Sequence, residues 1–337
     1  MVTSRVSNLG TNQQVQEPPA HVVVIGVGGG GVNAVTRMMR ERTVPGVKYI
    51  CVNTDVKSLQ GVDGATVIQI GAGLTHGMGA GGVPDVGLQA AESSRAELMH
   101  SIGHGDLVFI TAGMGGGTGT GAAPIVAEMA KRTNALVIGL VTTPFSWEGH
   151  RRLEQAMAGV AQLKGKVDNL IVVHNDRLLA LVGKDVSMEE ALRKADEAIV
   201  YGVLSVAELV NVPGEINVDL ADIRTIMKAP GRALMAIGEA PEPDGALTAA
   251  KIAVENPLLD VSIDGAMGLL FCVNGGPKLT LGEVNAAGQY IAERVSPDAS
   301  IFFGMVNNPN MGDRVRLTLI ATGIPEPTAK DGKNKSK

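Results

Sequence analysis

Leu107–Gly121 reads LVFITAGMGGGTGTG. An apolar run, Leu107–Thr111, passes directly into a segment with six glycines among its last nine residues, and the helical spacing of Ala122–Lys131 follows. Glycine at that density lets a backbone come close to a ligand, and N–H groups at a helix start attract an anion. The stretch therefore predicts a strand, a phosphate-binding turn and a helix. Upstream, Gly26-Val-Gly28-Gly29-Gly30-Gly31-Val32-Asn33 stands in the same relation to the run His21–Ile25. That loop alone also fits a dinucleotide fingerprint through Gly26, Gly28 and Gly31, with Asp55 placed to hold a ribose hydroxyl. Two such loops on one sheet edge favour a nucleotide with a long phosphate chain over a nicotinamide cofactor. Neither loop ends in Lys-Ser or Lys-Thr, so this is not a Walker loop, and backbone dipoles, a metal and a separate arginine must neutralise the phosphates.

Further runs at Val47–Val52, Ala135–Val141 and Leu170–Val173 alternate with helical patterns, which predicts a doubly wound parallel α/β sheet. Residues 188–212 read as a long central helix closed by Asn211-Val-Pro-Gly. Beyond it, strands at Ala233–Gly238, Gly268–Val273, Ser300–Val306 and Arg314–Ala321 and helices near 244–255 and 282–294 predict a smaller α+β domain. The expected organisation is a flexible arm 1–20, a nucleotide domain 21–187, the helix 188–212, a second domain 213–324 and a basic flexible tail 325–337. A third glycine-rich stretch, Gly71–Gly82, reads as a loop able to close over a terminal phosphate.

Composition narrows the function. The 337 residues carry 29 Lys+Arg against 34 Asp+Glu, and only nine are aromatic, which argues against nucleic acid as a partner. No run is long enough to span a membrane, and the two cysteines, Cys51 and Cys272, sit in apolar runs as reduced thiols, so a cytoplasmic protein is expected. The six histidines lack metal-ligand spacing, and His100 and His104 bracket Gly103, so no protein metal site is expected. Trp147 reads as a packing residue, and no serine has a nucleophile-elbow context.

The combined motifs resemble the tubulin/FtsZ family. They run in order through VIGVGGGGVNAV (24–35), VNTD (52–55), GAGLTHGMGAGGVPDVG (71–87), ITAGMGGGTGTGAAP (110–124), TPFSWEGHRR (143–152), NDRLL (175–179), INVDLADIRTIM (216–227), GGPKLTLGEVNAA (275–287) and GDRVRLTLIATG (312–323). The resemblance implies a GTPase that polymerises head to tail into filaments of the division ring at mid-cell, with GTP/GDP as nucleotide and Mg²⁺ held mainly through its phosphates. It places Gly29, Gly30, Gly31, Val32 and Asn33 in the first nucleotide loop and Gly117, Thr118 and Gly119 in the signature loop. Glu148 is implied at the ribose, Arg152 near the phosphates, and Asn175 and Asp196 at the guanine edge, where a carboxylate can accept two N–H donors. Asn217, Asp219 and Asp222 are implied to enter the pocket of the next subunit and polarise water there. Without the resemblance, Asp219 and Asp222 read equally as an acidic helix cap.

Three departures from the family pattern stand out. Leu192 occupies a position where many relatives carry Phe against the base. His76 replaces a common Arg, and Gly82-Val83 replaces a common Ala-Asn. The usual C-terminal linker and adaptor-docking peptide are not seen before Lys337. These features keep open an alternative: a low-activity paralogue that forms filaments, or co-assembles with other division-ring proteins, in a structural role.

Overall fold

The computed structural model describes residues 20–177, 187–212, 216, 218–256, 259 and 261–325. Six strands build the first half: β1 (Val22–Val27), β2 (Val47–Asn53), β3 (Thr66–Gln69), β4 (Leu107–Gly113), β5 (Leu136–Thr143) and β6 (Asn169–His174). They pair in parallel in the order β3-β2-β1-β4-β5-β6, with β1 leading outward to β2 on one side and β4 on the other. The direction of winding reverses between β1 and β4, and a crevice forms at that point beyond the carboxyl ends of the strands. The two long glycine loops follow β1 and β4.

Apolar side chains leave both faces of this sheet. On one face Val24, Tyr49, Phe109 and Ile138 pack beneath α1 (Gly28–Glu41) and α7 (Met188–Asn211). On the other, Val23, Ile25, Ile50, Val108 and Ile110 pack beneath α4 (Arg95–Ile102), α5 (Gly117–Arg132) and α6 (His150–Lys164). Two short helices, α2 (Ala72–Thr75) and α3 (Pro84–Ser93), carry the chain from β3 to α4. Strand β3 was not among the expected strands: it has four residues, lies at the sheet edge, and leaves Thr66 and Val67 exposed, so it lacks an apolar run.

The second half holds β7 (Arg232–Pro241), β8 (Gly268–Gly275), β9 (Ser300–Asn307) and β10 (Arg314–Ile324), in the order β7-β10-β8-β9. Here β10 is antiparallel to β7 and β8, and β9 runs parallel to β8. Helices α9 (Gly245–Val254) and α10 (Leu281–Ala292) cover one face with a core of Ala249, Ala253, Phe271, Val284 and Leu317. Between the two halves lies α8 (Leu220–Met227). The halves form one ten-stranded sheet, but β6 and β7 meet through a single residue pair, Ile171 and Ala233. The central helix spans that joint: Ile199, Val203 and Val210 share one core with Leu140 of the first half and Leu270, Val306 and Ile320 of the second.

The expected central helix and second-domain strands are all present. The arm expected over 1–20 differs at its end, because Ala20 is buried and its N–H donates to Asn211 Oδ1 at 3.2 Å. The rest of the arm, the tail beyond Pro325 and Asn217 lie outside the described residues.

Candidate functional site

A cleft of about 360 Å³ opens at the crevice. Its floor is glycine. Gly28 adopts φ +72°, and a Cβ there would lie 2.7 Å from the Gly119 nitrogen, so the two loops rest directly on each other. Gly115 adopts φ +95°, and its N–H donates to Thr120 Oγ1 at 2.8 Å, which closes the signature loop on its own helix. A Cβ at Gly29 or Gly116 would meet nothing within 4 Å. Those two positions face open space, and a bound group can come within backbone contact.

Neither α1 nor α5 has a side-chain cap, and neither carries an acidic residue in its first turn. Their orphan N–H groups and positive dipole ends remain available for a phosphate chain. Helix α6 also begins without a side-chain cap, at Gly149. Thr118 is held by a 2.6 Å hydrogen bond between its hydroxyl and that of Thr54, which ties the signature helix to the end of β2.

Polar side chains gather around this floor. Glu148 accepts from the Phe145 N–H at 2.8 Å and pairs with Arg152 at 2.9 Å. At the far end Asn175 is 6% exposed and lines the cleft, and its Oδ1 has no partner among the described residues. A buried amide oxygen without a partner costs free energy unless a ligand supplies a donor. Beside it stands Asp196, whose carboxyl is pushed up to about 6, chiefly by burial, with Arg37 opposing at 3.4 Å. Leu192 lies 45% exposed in the same wall.

The cleft thus brings together Gly29, Gly30, Asn33, Gly117, Thr118, Gly119, Glu148, Arg152, Asn175 and Asp196. Gly31 and Val32 stand apart from it. A Cβ at Gly31 would lie 2.4 Å from the Thr111 carbonyl oxygen, so that glycine serves the close packing of α1 on β4. The Val32 side chain is buried in the core under α1. Gly113, Met114, Gly116, Thr142, Pro144, Ala80 and Gly82 complete the lining; Gly113, Met114 and Gly116 belong to the quoted phosphate-binding turn and Ala80 and Gly82 to the third glycine stretch, whereas Thr142 and Pro144 carry no such signal of their own. Those two follow the general rule that strand ends line such a crevice.

The third glycine stretch approaches through Ala80 and Gly82. It is anchored rather than free: Asp55 bridges to Met78, the Val56 N–H donates to Gly77 O at 3.0 Å, and Thr75 Oγ1 bonds to Thr54 O at 3.3 Å. His76 is outside the lining and takes a left-handed φ of 51°.

Asp219 and Asp222 are elsewhere. Asp219 is the N-cap of α8, accepting from the Asp222 N–H at 2.8 Å. Helix α8 is anchored where strands begin: Arg224 Nη2 reaches Asp106 O at 3.5 Å, one residue before β4, and Asn169 Nδ2, at the start of β6, donates to Met227 O at 3.0 Å. The glycine loops lie where strands end. Seven residues of β4 separate the two edges, about 20 Å of extended chain. One copy of the chain cannot bring these acids to its own cleft.

Comparison with known proteins bears on the same two regions. Residues 21–183 match the Tubulin/FtsZ family GTPase domain, and residues 231–325 match the FtsZ family C-terminal domain. An FtsZ dimer from M. jannaschii, solved empty, is 40% identical over 91% of this chain and 89% of that one, with a TM-score of 0.88. The chain belongs to the tubulin/FtsZ family. Two structures from Haloferax volcanii share the fold at lower identity. CetZ1, a GDP-bound monomer, is 24% identical with a TM-score of 0.77 over 90% of this chain and 94% of its own. CetZ2, a GTPγS-bound protofilament, is 22% identical with a TM-score of 0.77 over 92% and 95%.

Membership of the tubulin/FtsZ family gives the chain a GTPase domain over residues 21–183 and guanine nucleotide as its ligand class. Among the described residues, no group of three His, Cys, Asp or Glu side chains could hold a metal, and no helix is long and apolar enough to cross a membrane.

Proposed function

We propose that this chain is a GTPase that assembles head to tail and hydrolyses GTP only where two subunits meet, in filaments of a cell-division ring at mid-cell. The observation that carries this reading is the separation of cleft and acids: they lie at opposite edges of one parallel sheet, so a second copy stacked in the same orientation brings α8 over the open cleft. The phosphates of a MgGTP substrate lie against the uncapped starts of α1 and α5, with Arg152 beside them. Glu148 takes the ribose, and Asn175 and Asp196 read the base. From the neighbour, Asp222 and Asp219 orient a water and accept its proton as it attacks the γ-phosphate. The protein's contribution is position and charge rather than a covalent intermediate.

The test is GTP turnover against protein concentration, with light scattering recorded in the same samples. Turnover should appear above a threshold concentration together with scattering. Asp222→Ala should keep GDP binding and lose turnover by at least about a hundredfold. Turnover per subunit that is constant down to the most dilute sample would refute catalysis at the contact. Scattering without turnover would instead favour a structural paralogue, which the aliphatic Leu192 in the cleft wall already makes worth testing.

A further inference from the structure

Asp196 has a physical problem that its own helix does not solve. To accept two N–H donors from guanine it must be a carboxylate, yet it is largely buried, with 19% of its side chain exposed. The charges around it come from few directions. On its own helix, Glu197 is adjacent and repels it, although Arg193 and Lys194 each pair with Glu197 at 2.7 Å. Across the cleft, Arg152 and Glu148 pair with each other. From α1, Arg37 is the cation that reaches it.

Arg37 makes two contacts with α7. Its Nη1 donates to the Arg193 carbonyl of α7 at 3.0 Å and stands 3.4 Å from Asp196 Oδ2. The guanidinium is therefore pinned to the backbone of the same helix turn that carries the carboxylate. It is absent from the cleft lining, so it leaves the base edge clear.

We propose that Arg37 is a positioning residue for base recognition: from behind the cleft, it keeps Asp196 ionised and holds it toward the guanine edge without touching the nucleotide. This rests on the reading that Asp196 recognises guanine. Removing Arg37 takes away the attraction that offsets burial, so Asp196 binds its proton more readily and guanine meets a neutral acid with one acceptor fewer. The effect must depend on pH, because at sufficiently high pH Asp196 is ionised with or without its partner.

The experiment measures GDP and IDP affinity between pH 5.5 and 8.5 for the unchanged protein, Arg37→Ala, Arg37→Lys and Asp196→Asn. GDP removes hydrolysis from the readout, and IDP lacks the 2-amino donor. For the unchanged protein, GDP affinity should fall as pH drops through about 6, where the Asp196 carboxyl titrates. In Arg37→Ala that fall should move up by roughly one pH unit, leaving GDP about fivefold weaker at pH 6 and nearly equal to the unchanged protein at pH 8.5. The preference for GDP over IDP should shrink in parallel. Arg37→Lys should return most of the profile, and it supplies the comparison with Arg37→Gln if the alanine variant does not fold.

Equal weakening of Arg37→Ala at every pH would mean that Arg37 only braces α1 against α7, and the proposal would fail. An unchanged profile would overturn it as well. Failure of the underlying reading looks different: Asp196→Asn would then bind GDP as well as the unchanged protein and keep the same GDP-to-IDP ratio, whatever Arg37 does.

Discussion

Glycine plays opposite parts in the two loops that follow β1 and β4. At Gly31 the missing side chain is filled by protein: a Cβ would strike the Thr111 carbonyl oxygen at 2.4 Å and the Gly26 backbone at 2.9 Å. At Gly116 it is open space, with an ordinary φ of −88°. Gly31→Ala should therefore lower stability by about 1–3 kcal/mol in denaturant unfolding. Gly116→Ala should leave unfolding unchanged and weaken nucleotide binding. Normal GDP affinity in the second variant would remove Gly116 from the site. A run of glycines does not distinguish such positions, because the difference depends on which residues the fold places opposite each one. The same limit applies to Val32, which lies in the quoted loop by position but turns into the core. Asp196 carries a second residue-scale consequence. Its folded pKa lies above the ordinary value of 3.8, so its burial favours the protonated form; the stability this gives is present at low pH and lost as pH rises through about 6. Asp196→Asn should accordingly stabilise the nucleotide-free protein at pH 7.5, by about 1–3 kcal/mol, and give little gain at pH 4. Equal stability at pH 7.5 would show that Arg37 already offsets the burial in full.

At the scale of elements, helix starts carry most of the chemistry. Helices α1 and α5 begin uncapped and without acids, whereas α8 begins with Asp219 capping it. The contrast is legible in the sequence, since glycines open α1 and α5 and Asp-Leu-Ala-Asp opens α8. The cap at Asp219 was open from the sequence as one of two readings; the structure has Asp219 capping α8 while exposed to solvent, so the proposed catalytic role falls on the same side chain as the cap. The two roles separate by substitution. Asp219→Asn should retain the cap and the unfolding midpoint while losing most GTP turnover, and Asp219→Ala should lose turnover and about 1 kcal/mol of stability. Full turnover in the asparagine variant would assign Asp219 to the cap alone. Element prediction succeeded where apolar runs are buried on both faces, as in β1 and β4 with Val22–Val27 and Leu107–Ala112 enclosed. It failed at β3, where pairing with β2 alone specifies a strand that its own residues do not announce. The third glycine stretch illustrates the converse. Its composition suggests freedom, but the bridge from Asp55 to Met78 and the bond from Thr75 Oγ1 to the Thr54 carbonyl fasten it to the end of β2.

For the whole molecule, the decisive fact is that a cleft and a pair of acids occupy opposite edges of one sheet. A repeating head-to-tail contact uses two different surfaces and so extends without closing. Two inactive variants should then complement each other. Asp222→Ala retains a sound cleft, and Gly116→Val retains sound acids, so a mixture should recover up to about a quarter of normal turnover through the contacts that pair one intact surface with the other. No recovery at any mixing ratio would mean that each copy needs both of its own surfaces. The division into two halves was legible from the change of strand pattern after residue 230, and the joint between them was not. That joint is the single pairing of Ile171 with Ala233, backed by the central helix. It gives the sheet a seam. The flanking pairs, β5 with β6 and β10 with β7, are laced along many residues, so in the proposed filament a pull between the two halves is carried across the joint by the core of the central helix rather than by strand pairing. Each subunit is in that sense a hinged pair of leaves with α7 as the pin.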